Sequence, residues 1–276
     1  MTASTRTLVI QPTRGWRSID LRELWAYRDL LLVFAWRDIK VRYRQTLLGA
    51  VWVMGQPLVT MLIFTVIFSR VAKLGGEAGI PYPLFVLAGI LLWNFVSGAI
   101  NRGGNSLLGT AHLISKVYFP RLLIPFSHIA TDIVDFSIAA ILIIPLMFWY
   151  GVAPGFALLL APPVVLVAAA FALGIGLWVA ALNIEYRDIR VIIPWILQIA
   201  MYAAPVVYPL SAVPERYRWI AIANPMTGLL EAFRATLFGT PLDLAILGWS
   251  VIASLVILIS GAYYFRRMER LFADVL

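Results

Sequence analysis

Long stretches without a charged residue dominate the chain. Residues 45–69, 78–101, 136–184, 191–214 and 244–265 contain no Asp, Glu, Lys or Arg. A helix needs about 20 apolar residues to cross the hydrocarbon core of a bilayer, so each stretch is long enough for one pass and residues 136–184 are long enough for two. Inside that stretch, the turn-forming sequence Gly151-Val152-Ala153-Pro154-Gly155 predicts where the chain reverses.

This pattern predicts an all-α integral membrane protein. We place six transmembrane helices at about residues 47–68, 82–101, 122–150, 156–182, 190–210 and 244–265. Residues 219–239 are less apolar, because they carry Glu231 and Arg234, and Asn224-Pro225 is a typical helix start within them. We therefore expect re-entrant outer helices between spans 5 and 6 rather than a seventh span.

The distribution of Lys and Arg predicts the orientation. With six spans and both termini in the cytoplasm, 17 of the 22 basic residues face the cytoplasm. That asymmetry agrees with the positive-inside rule. The predicted domains are a cytoplasmic N-terminal segment (1–46), a six-span domain (47–265) and a cytoplasmic tail (266–276).

The segment before the first span is predicted to be an amphipathic helix. Residues 18–44 are predicted to be helical, in one or two pieces, with Ser18 as the N-cap. Trp36 and Tyr43 fall on one face, and Arg37 and Lys40 fall on another. Such a helix lies at the surface of an anionic membrane, and its outer face remains open to a cytoplasmic partner.

Composition excludes several classes of function. With 62% hydrophobic and 13% charged residues, the chain is not a water-soluble domain. The net charge of +8 therefore indicates contact with anionic lipid head groups rather than nucleic acid. The absence of cysteine and the presence of two histidines argue against disulfides and against a metal site.

No nucleotide site is evident. A phosphate-binding loop GxxxxGK[ST] needs a Gly-Lys pair, and Lys40, Lys73 and Lys116 follow other residues. HExxH and GxSxG sequences are absent too. The chain is therefore expected to be no enzyme by itself and to bind no cofactor.

Asp132 and Asp135 are the ionisable candidates inside a predicted span. They are three residues apart and so share one helical face. One interpretation is a proton or cation relay. The other is a polar patch that waters, Arg121 or neighbouring helices satisfy. We favour the patch, because no Lys or Arg partner is evident in the other predicted spans.

Four segments carry a resemblance to a known family. They are residues 37–49 with Trp52 and Gln56-Pro57, then 113–121, 183–190 and Asn224-Pro225-Met226. Together they resemble the permease subunits of type-2 ABC exporters, in particular the bacterial exporters of O-antigen, capsule or teichoic acid chains.

The resemblance implies partners and a location. Such permeases are homodimers in the bacterial inner membrane, and each copy pairs with a separate ATPase subunit that binds ATP and Mg. The substrate would be a lipid-linked polysaccharide. Contacts with the ATPase would be made by Trp36, Arg37, Asp38, Lys40, Arg42, Lys116, Tyr118, Phe119, Arg121, Glu185 and Arg187.

The resemblance also implies a glycan channel lined by spans 1 and 5. Aromatic rings pack against the C–H faces of sugars, so the candidate lining residues are Trp52, Phe64, Phe68, Trp195, Gln198 and Tyr202. The alternative, which we favour for any single one of these aromatics, is a lipid-facing or packing position.

Other functions remain open on the sequence alone. A type-2 exporter of a drug or small lipid is one, although the chain lacks the large outer domain that many of these carry. A proton-coupled carrier that uses Asp132 and Asp135, or a membrane glycosyl-transfer enzyme, would need no ATPase.

Overall fold

The computed structural model describes residues 21–44, 49–71, 79–110 and 119–269. Every α-helix, π-helix and 3-10 helix in these ranges belongs to one all-helical bundle, and no strand occurs in them. The α-helices are α1 (Leu21–Ala26), α2 (Arg28–Arg44), α3 (Gly49–Phe64), α4 (Tyr82–Gly109), α5 (Leu123–Ala140), α6 (Ile143–Trp149), α7 (Ala161–Glu185), α8 (Ile189–Ala203), α9 (Glu215–Ala223), α10 (Pro225–Phe238) and α11 (Leu244–Met268).

Five helical segments are long and apolar enough to cross a membrane. They are Val51–Phe68, Tyr82–Gly109, Leu123–Trp149, Phe156–Glu185 and Leu244–Met268, which combine α3, α5 and α7 with the helical turns next to them. The prediction of an all-α membrane protein is thereby confirmed, and these segments match five of the six predicted spans.

The remaining predicted span, 190–210, is shorter than expected. Its helix α8 has 15 residues and ends at Ala203, because Ala204 precedes Pro205 and adopts an extended backbone. At 1.5 Å per residue, α8 is about 23 Å long, less than the roughly 30 Å of a bilayer core. The number of spans therefore stays a prediction.

Helix α4 lies at the centre of the bundle. It packs against α3, α5, α7, α8 and α10, and most of its side chains are buried. Small residues let the helices approach closely, as is usual between membrane helices. Where α7 crosses α11, a Cβ added to Gly174 would lie 2.6 Å from the backbone nitrogen of Leu258.

The segment predicted to be re-entrant forms α9 and α10. The Oδ1 of Asn224 accepts a hydrogen bond from the backbone N–H of Met226 at 3.0 Å, and Pro225 is the first helical residue, so the predicted helix start is confirmed. Gly239, with φ of +69°, ends the helix in the left-handed conformation. The 14-residue helix α10 is almost wholly buried, and whether it enters the membrane from outside stays a prediction.

Helices α1 and α2 lie across one end of the bundle, which we call the α2 side. Leu24, Tyr27 and Phe34 pack there on the ends of α4, α5, α7 and α11. Arg266 of α11 lies 3.7 Å from Glu23 of α1, so the beginning and the end of the described chain are on the same side. The helix occurs in two pieces, one of the two arrangements that the sequence left open, and the proposed N-cap Ser18 lies outside the described residues.

Candidate functional site

A polar cavity of about 390 Å³ opens at the surface of the bundle, between α3, α4, α5 and α8, and Gln56 and Gln198 on its wall are exposed. Most of the surrounding helix surfaces are apolar, yet the cavity contains three kinds of uncharged hydrogen-bonding side chain from three helices. The uncharged polar residues that line it are Gln56, Asn94, Ser97, Asn101 and Gln198.

The helical repeat of α4 brings its polar residues to one wall. Asn94 and Asn101 are seven residues apart, two turns of helix, and Ser97 lies between them. The side-chain amides of Gln56, Asn94 and Gln198 form no hydrogen bond with the described part of the chain. An amide both donates and accepts hydrogen bonds, so these groups are available to a hydroxylated ligand.

Apolar and aromatic groups complete the lining. Trp93, Phe95 and Phe136 border the cavity, and the rings of Phe95 and Phe136 lie 5.4 Å apart. Pro57 of α3 and Pro194 of α8, each in the interior of its helix, also line the cavity. A proline removes a backbone hydrogen bond from its helix, so both walls are locally weakened there.

A cluster of charges closes the cavity towards the α2 side. The carboxylate of Asp132, whose side chain is fully buried, forms an ion pair with Arg102 of α4. Asp135, one turn further along α5, lies 2.7 Å from Arg42 and 3.5 Å from Arg102. Two carboxylates and two guanidinium groups thus compensate one another at the edge of the cavity.

The pairing of Asp132 with Arg102 corrects two expectations. Arg102 was assigned to a loop after a span ending at residue 101, but α4 continues to Gly109 and keeps this residue in the helix. The expectation that no Lys or Arg in another span faces the carboxylates was therefore wrong. Arg121, the other partner considered, donates to the backbone oxygen of Glu269.

A glycine makes room for the buried guanidinium. A Cβ on Gly98, one turn before Arg102, would lie 2.9 Å from its terminal nitrogen. The arginine therefore folds back over Gly98 towards Asp132 instead of extending to the end of the helix. That arrangement depends on a residue without a side chain at position 98.

Helix α2 contributes a hydroxyl to the same cluster. Tyr43 donates a hydrogen bond to Asp135 at 2.5 Å. The pKa of Tyr43 is raised to about 12, mainly by burial and further by the hydrogen bond to Asp135 and the negative charge of Asp135. The phenol therefore stays protonated, and remains a donor, throughout the physiological pH range.

The six candidate channel residues occupy three kinds of position. Gln198 lines the cavity. Phe64 and Phe68 are partly buried against the core, with ring centroids 5.8 Å apart. Trp52, Trp195 and Tyr202 are exposed on α3 and α8. Their role as channel residues stays a prediction.

The candidate ATPase contacts also divide by exposure. Trp36, Arg37, Lys40, Glu185 and Arg187 are exposed on the α2 side, whereas Lys116 and Tyr118 lie outside the described residues. The remaining members make internal contacts: Asp38 approaches His128 at 3.6 Å, Arg42 pairs with Asp135, Phe119 is buried beside Phe34, and Arg121 bonds to Glu269.

Sequence reasoning missed most of the cavity. Asn94 and Asn101 received no role, and Gln56 was used only as part of a family motif. A usable signal existed, because an amide in a span without charged residues needs a hydrogen-bonding partner or a polar cavity. Among the described residues, no group of three or more His, Asp or Glu side chains suits a metal ion.

Comparison with known proteins agrees with this architecture. Residues 29–238 match the family model described as ABC-2 type transporter. Three similar proteins are each named O-antigen export system permease protein RfbA. The one from Myxococcus xanthus is 33% identical over 221 residues, which cover 79% of this chain and 84% of the relative. Two from Klebsiella pneumoniae are 27% and 25% identical over 250 residues, 90% of this chain and 95% of each relative. The chain is therefore a multi-pass membrane subunit that belongs to the ABC-2 type transporter family.

Proposed function

We propose that this chain is the channel-forming subunit of an ATP-driven exporter that moves a lipid-linked, O-antigen-like polysaccharide across the bacterial inner membrane. Membership in the ABC-2 family and the export role named for its relatives support this proposal. The α2 side would then face the cytoplasm, because most of the basic residues lie on that side of the predicted topology.

The cavity is the observation that carries the choice of substrate. A sugar presents hydroxyl groups, which need donors and acceptors, and C–H faces, which pack on aromatic rings. Gln56, Asn94 and Gln198 offer the first kind of contact, and Trp93 and Phe136 offer the second. An apolar drug or a hydrocarbon-like lipid offers these amides no hydrogen-bonding partner, so the lining favours a glycan over such substrates.

A separate ATPase would supply the energy. Since the chain contains no Gly-Lys pair, ATP and Mg would be bound by a partner subunit. That partner would dock on the exposed residues of α2 and at the end of α7, where Arg37, Lys40 and Arg187 present positive charge. Two copies of the ATPase would serve a homodimer of this chain.

The surfaces of α3 and α8 support a dimer around the cavity. Both helices flank the cavity, and both expose large apolar side chains on their outer sides, Val59 and Leu62 among them on α3 and Trp195 and Ile199 on α8. A second copy facing these helices would enclose a path between the two cavities. The cavity would bind each sugar unit of the passing polysaccharide weakly, through a few hydrogen bonds, and then release it.

A proton-coupled carrier gains no support from the geometry. Asp132 and Asp135 are both paired with arginine side chains, and Asp135 also accepts a hydrogen bond from Tyr43. We therefore interpret the cluster as a structural group and not as a proton relay.

Export from intact cells tests the proposal. The chain is expressed with the ATPase encoded beside it in a strain that lacks its own exporter, and surface polysaccharide is measured. Gln56→Met and Gln198→Met keep the side-chain volume but remove the amides, and they should lower export about tenfold while the complex still forms.

Thr60→Val is the matched control. It removes a polar group on the same helix as Gln56, but Thr60 does not line the cavity. It should therefore export at the parent rate. Unchanged export by both glutamine variants, or export that needs no ATPase, would contradict the proposed function.

A further inference from the structure

One carboxylate joins helix α2 to two helices of the bundle. Asp135 of α5 lies 2.7 Å from Arg42 and accepts a hydrogen bond from Tyr43 at 2.5 Å, both residues of α2. Arg102 of α4 approaches the same carboxylate at 3.5 Å. Three donors from two helices therefore converge on one side chain of a third.

Burial makes this junction stiff. On the carboxylate side, Asp135 is 13% exposed and its neighbour Asp132 is fully buried, whereas the side chain of Arg42 is 39% exposed. Charges in such surroundings are weakly screened, and removal of one partner from a buried pair is strongly destabilising. The pair between Arg28 and Asp29 of α2, at 3.9 Å with side chains 54% and 87% exposed, is the opposite case.

The junction lies at the wall of the cavity. Arg42, Arg102 and Asp135 all line it, so the contact that holds α2 is also part of the cavity surface. Only residues 45–48 separate the end of α2 from the start of α3, another wall. Displacement of α2 would therefore act on α3 through the chain and on α5 and α4 through Asp135.

The other end of α2 is held differently. Phe34 meets Phe119 edge to face, with ring centroids 5.5 Å apart, within an apolar cluster that includes Leu30 and Leu31. Apolar packing is not directional, so it permits small sliding movements. The bonds to Asp135 are directional and fix the register of α2 against α5.

We propose that Asp135 is a positioning residue that makes α2 and α5 move as one body, so that a displacement of α2 changes the width of the polar cavity. The inference rests on the proposed function, since that function supplies the ATPase that displaces α2. In this proposal, the carboxylate of Asp135 transmits the movement of α2, where the ATPase docks, to the cavity through which the substrate passes.

The distance between the two helices tests the coupling directly. The natural chain has no cysteine, so Val41→Cys on α2, which is not among the candidate ATPase contacts, and Ser137→Cys on α5, both exposed, provide spin-label positions without further changes. The labelled chain is reconstituted with its ATPase in lipid nanodiscs. Distance distributions are recorded without nucleotide and with ATP trapped by a hydrolysis-deficient ATPase.

In the parent protein, the distribution should stay narrow and unchanged when ATP binds. In Asp135→Asn it should broaden or shift with ATP, and export should fall about tenfold while ATP hydrolysis continues. Asp135→Glu should recover much of the coupling. Asp29→Asn, on the same helix but at the exposed pair, should change neither quantity.

A double-mutant cycle keeps the test valid if Asp135→Asn assembles poorly. Arg42→Gln and Tyr43→Phe each remove one donor and leave the carboxylate in place; each should loosen α2 against α5, and their effects on export should not add in the double variant. Additive effects, or a distance distribution in Asp135→Asn that matches the parent with normal export, would overturn the proposal.

Failure of the proposed function gives a different result. Suppose that α2 and α5 stay together in the parent and separate in Asp135→Asn, but no polysaccharide is exported. The coupling proposal would then stand, and the proposed polysaccharide substrate would be wrong. Normal export by a parent protein in which α2 moves freely against α5 would support the proposed function and contradict the coupling through Asp135.

Discussion

Removal of the arginine at position 102 is expected to destabilise the whole bundle. In Arg102→Met, the fully buried carboxylate of Asp132 loses the guanidinium that compensates it. The substitution retains most of the aliphatic volume, so the main effect is an uncompensated charge at the cavity wall. Asp135 also loses one of its partners, although Arg42 and Tyr43 remain.

The expected magnitude follows from the burial. Breaking a buried ion pair by removing one partner costs about 3–5 kcal/mol, compared with roughly 0–1 kcal/mol for an exposed pair. The guanidinium of Arg102 is 32% exposed and the carboxylate of Asp132 is 0% exposed, so the penalty falls mainly on the aspartate. Because the Arg102 side chain is partly exposed, we expect the lower end of that range.

Thermal unfolding in detergent, followed by the loss of monodisperse protein, measures the effect. We expect Arg102→Met to melt on the order of 10 °C below the parent protein. The double variant Arg102→Met with Asp132→Leu should regain most of the stability, because it removes both charges together. Arg28→Met, at the exposed pair on α2, should melt within about 2 °C of the parent.

A melting temperature for Arg102→Met equal to that of the parent would refute the reasoning. A double variant that is less stable than the single variant would refute it as well. Either result would mean that the ion pair between α4 and α5 does not stabilise the bundle.

Three further predictions concern packing, pH and capping. Gly174→Val should greatly reduce the yield of folded protein, because its Cβ would lie 2.6 Å from the backbone of α11, whereas Gly248→Ala, with open space around it, should express normally. The pKa of Tyr43 is raised from 10.0 to about 12 in the folded protein, so the stability that protonated Tyr43 contributes is fully present below pH 10.0 and is lost as the pH rises through about 12. A series of melting temperatures across this pH range should show that loss in the parent protein and not in Tyr43→Phe. Asn224→Ala should lower stability by about 1 kcal/mol by removing the cap of α10, while Asn224→Asp should retain it in the same unfolding assay.

The spans could be predicted because their signal is local. Uninterrupted apolar runs, the turn at Gly151 and the cap at Asn224 each depend on neighbouring residues, and the helices follow them closely. The exception is instructive. Pro205 ends α8 early, although the apolar run continues to residue 214.

The charged cluster could not be predicted because it depends on which helices meet. A rule that ends a span at its first charge assigned Arg102 to a loop, but α4 continues through it. Only the packing of α4 on α5 shows that this charge faces Asp132. The same applies to Phe119, which is placed in a loop motif by sequence and is buried beside Phe34 in the fold.

The cavity was only partly accessible to sequence reasoning for a similar reason. Gln198 was selected because it lies near two aromatics on α8, and it does line the cavity. Asn94 and Asn101 lie on a helix to which no substrate role had been assigned. Their position became evident only when α3 and α8 were seen on either side of α4.

Photocrosslinking from the cavity tests the central claim most directly. A photoreactive amino acid replaces Gln198 in the complex with its ATPase, in cells that synthesise the lipid-linked polysaccharide, and the crosslinked product is examined for sugar. The same group at Leu255, exposed on the side of α11, serves as control. Our account predicts a polysaccharide adduct from position 198 that depends on the ATPase, and none from position 255. Adducts of phospholipid alone at position 198, equal to those at 255, would contradict it.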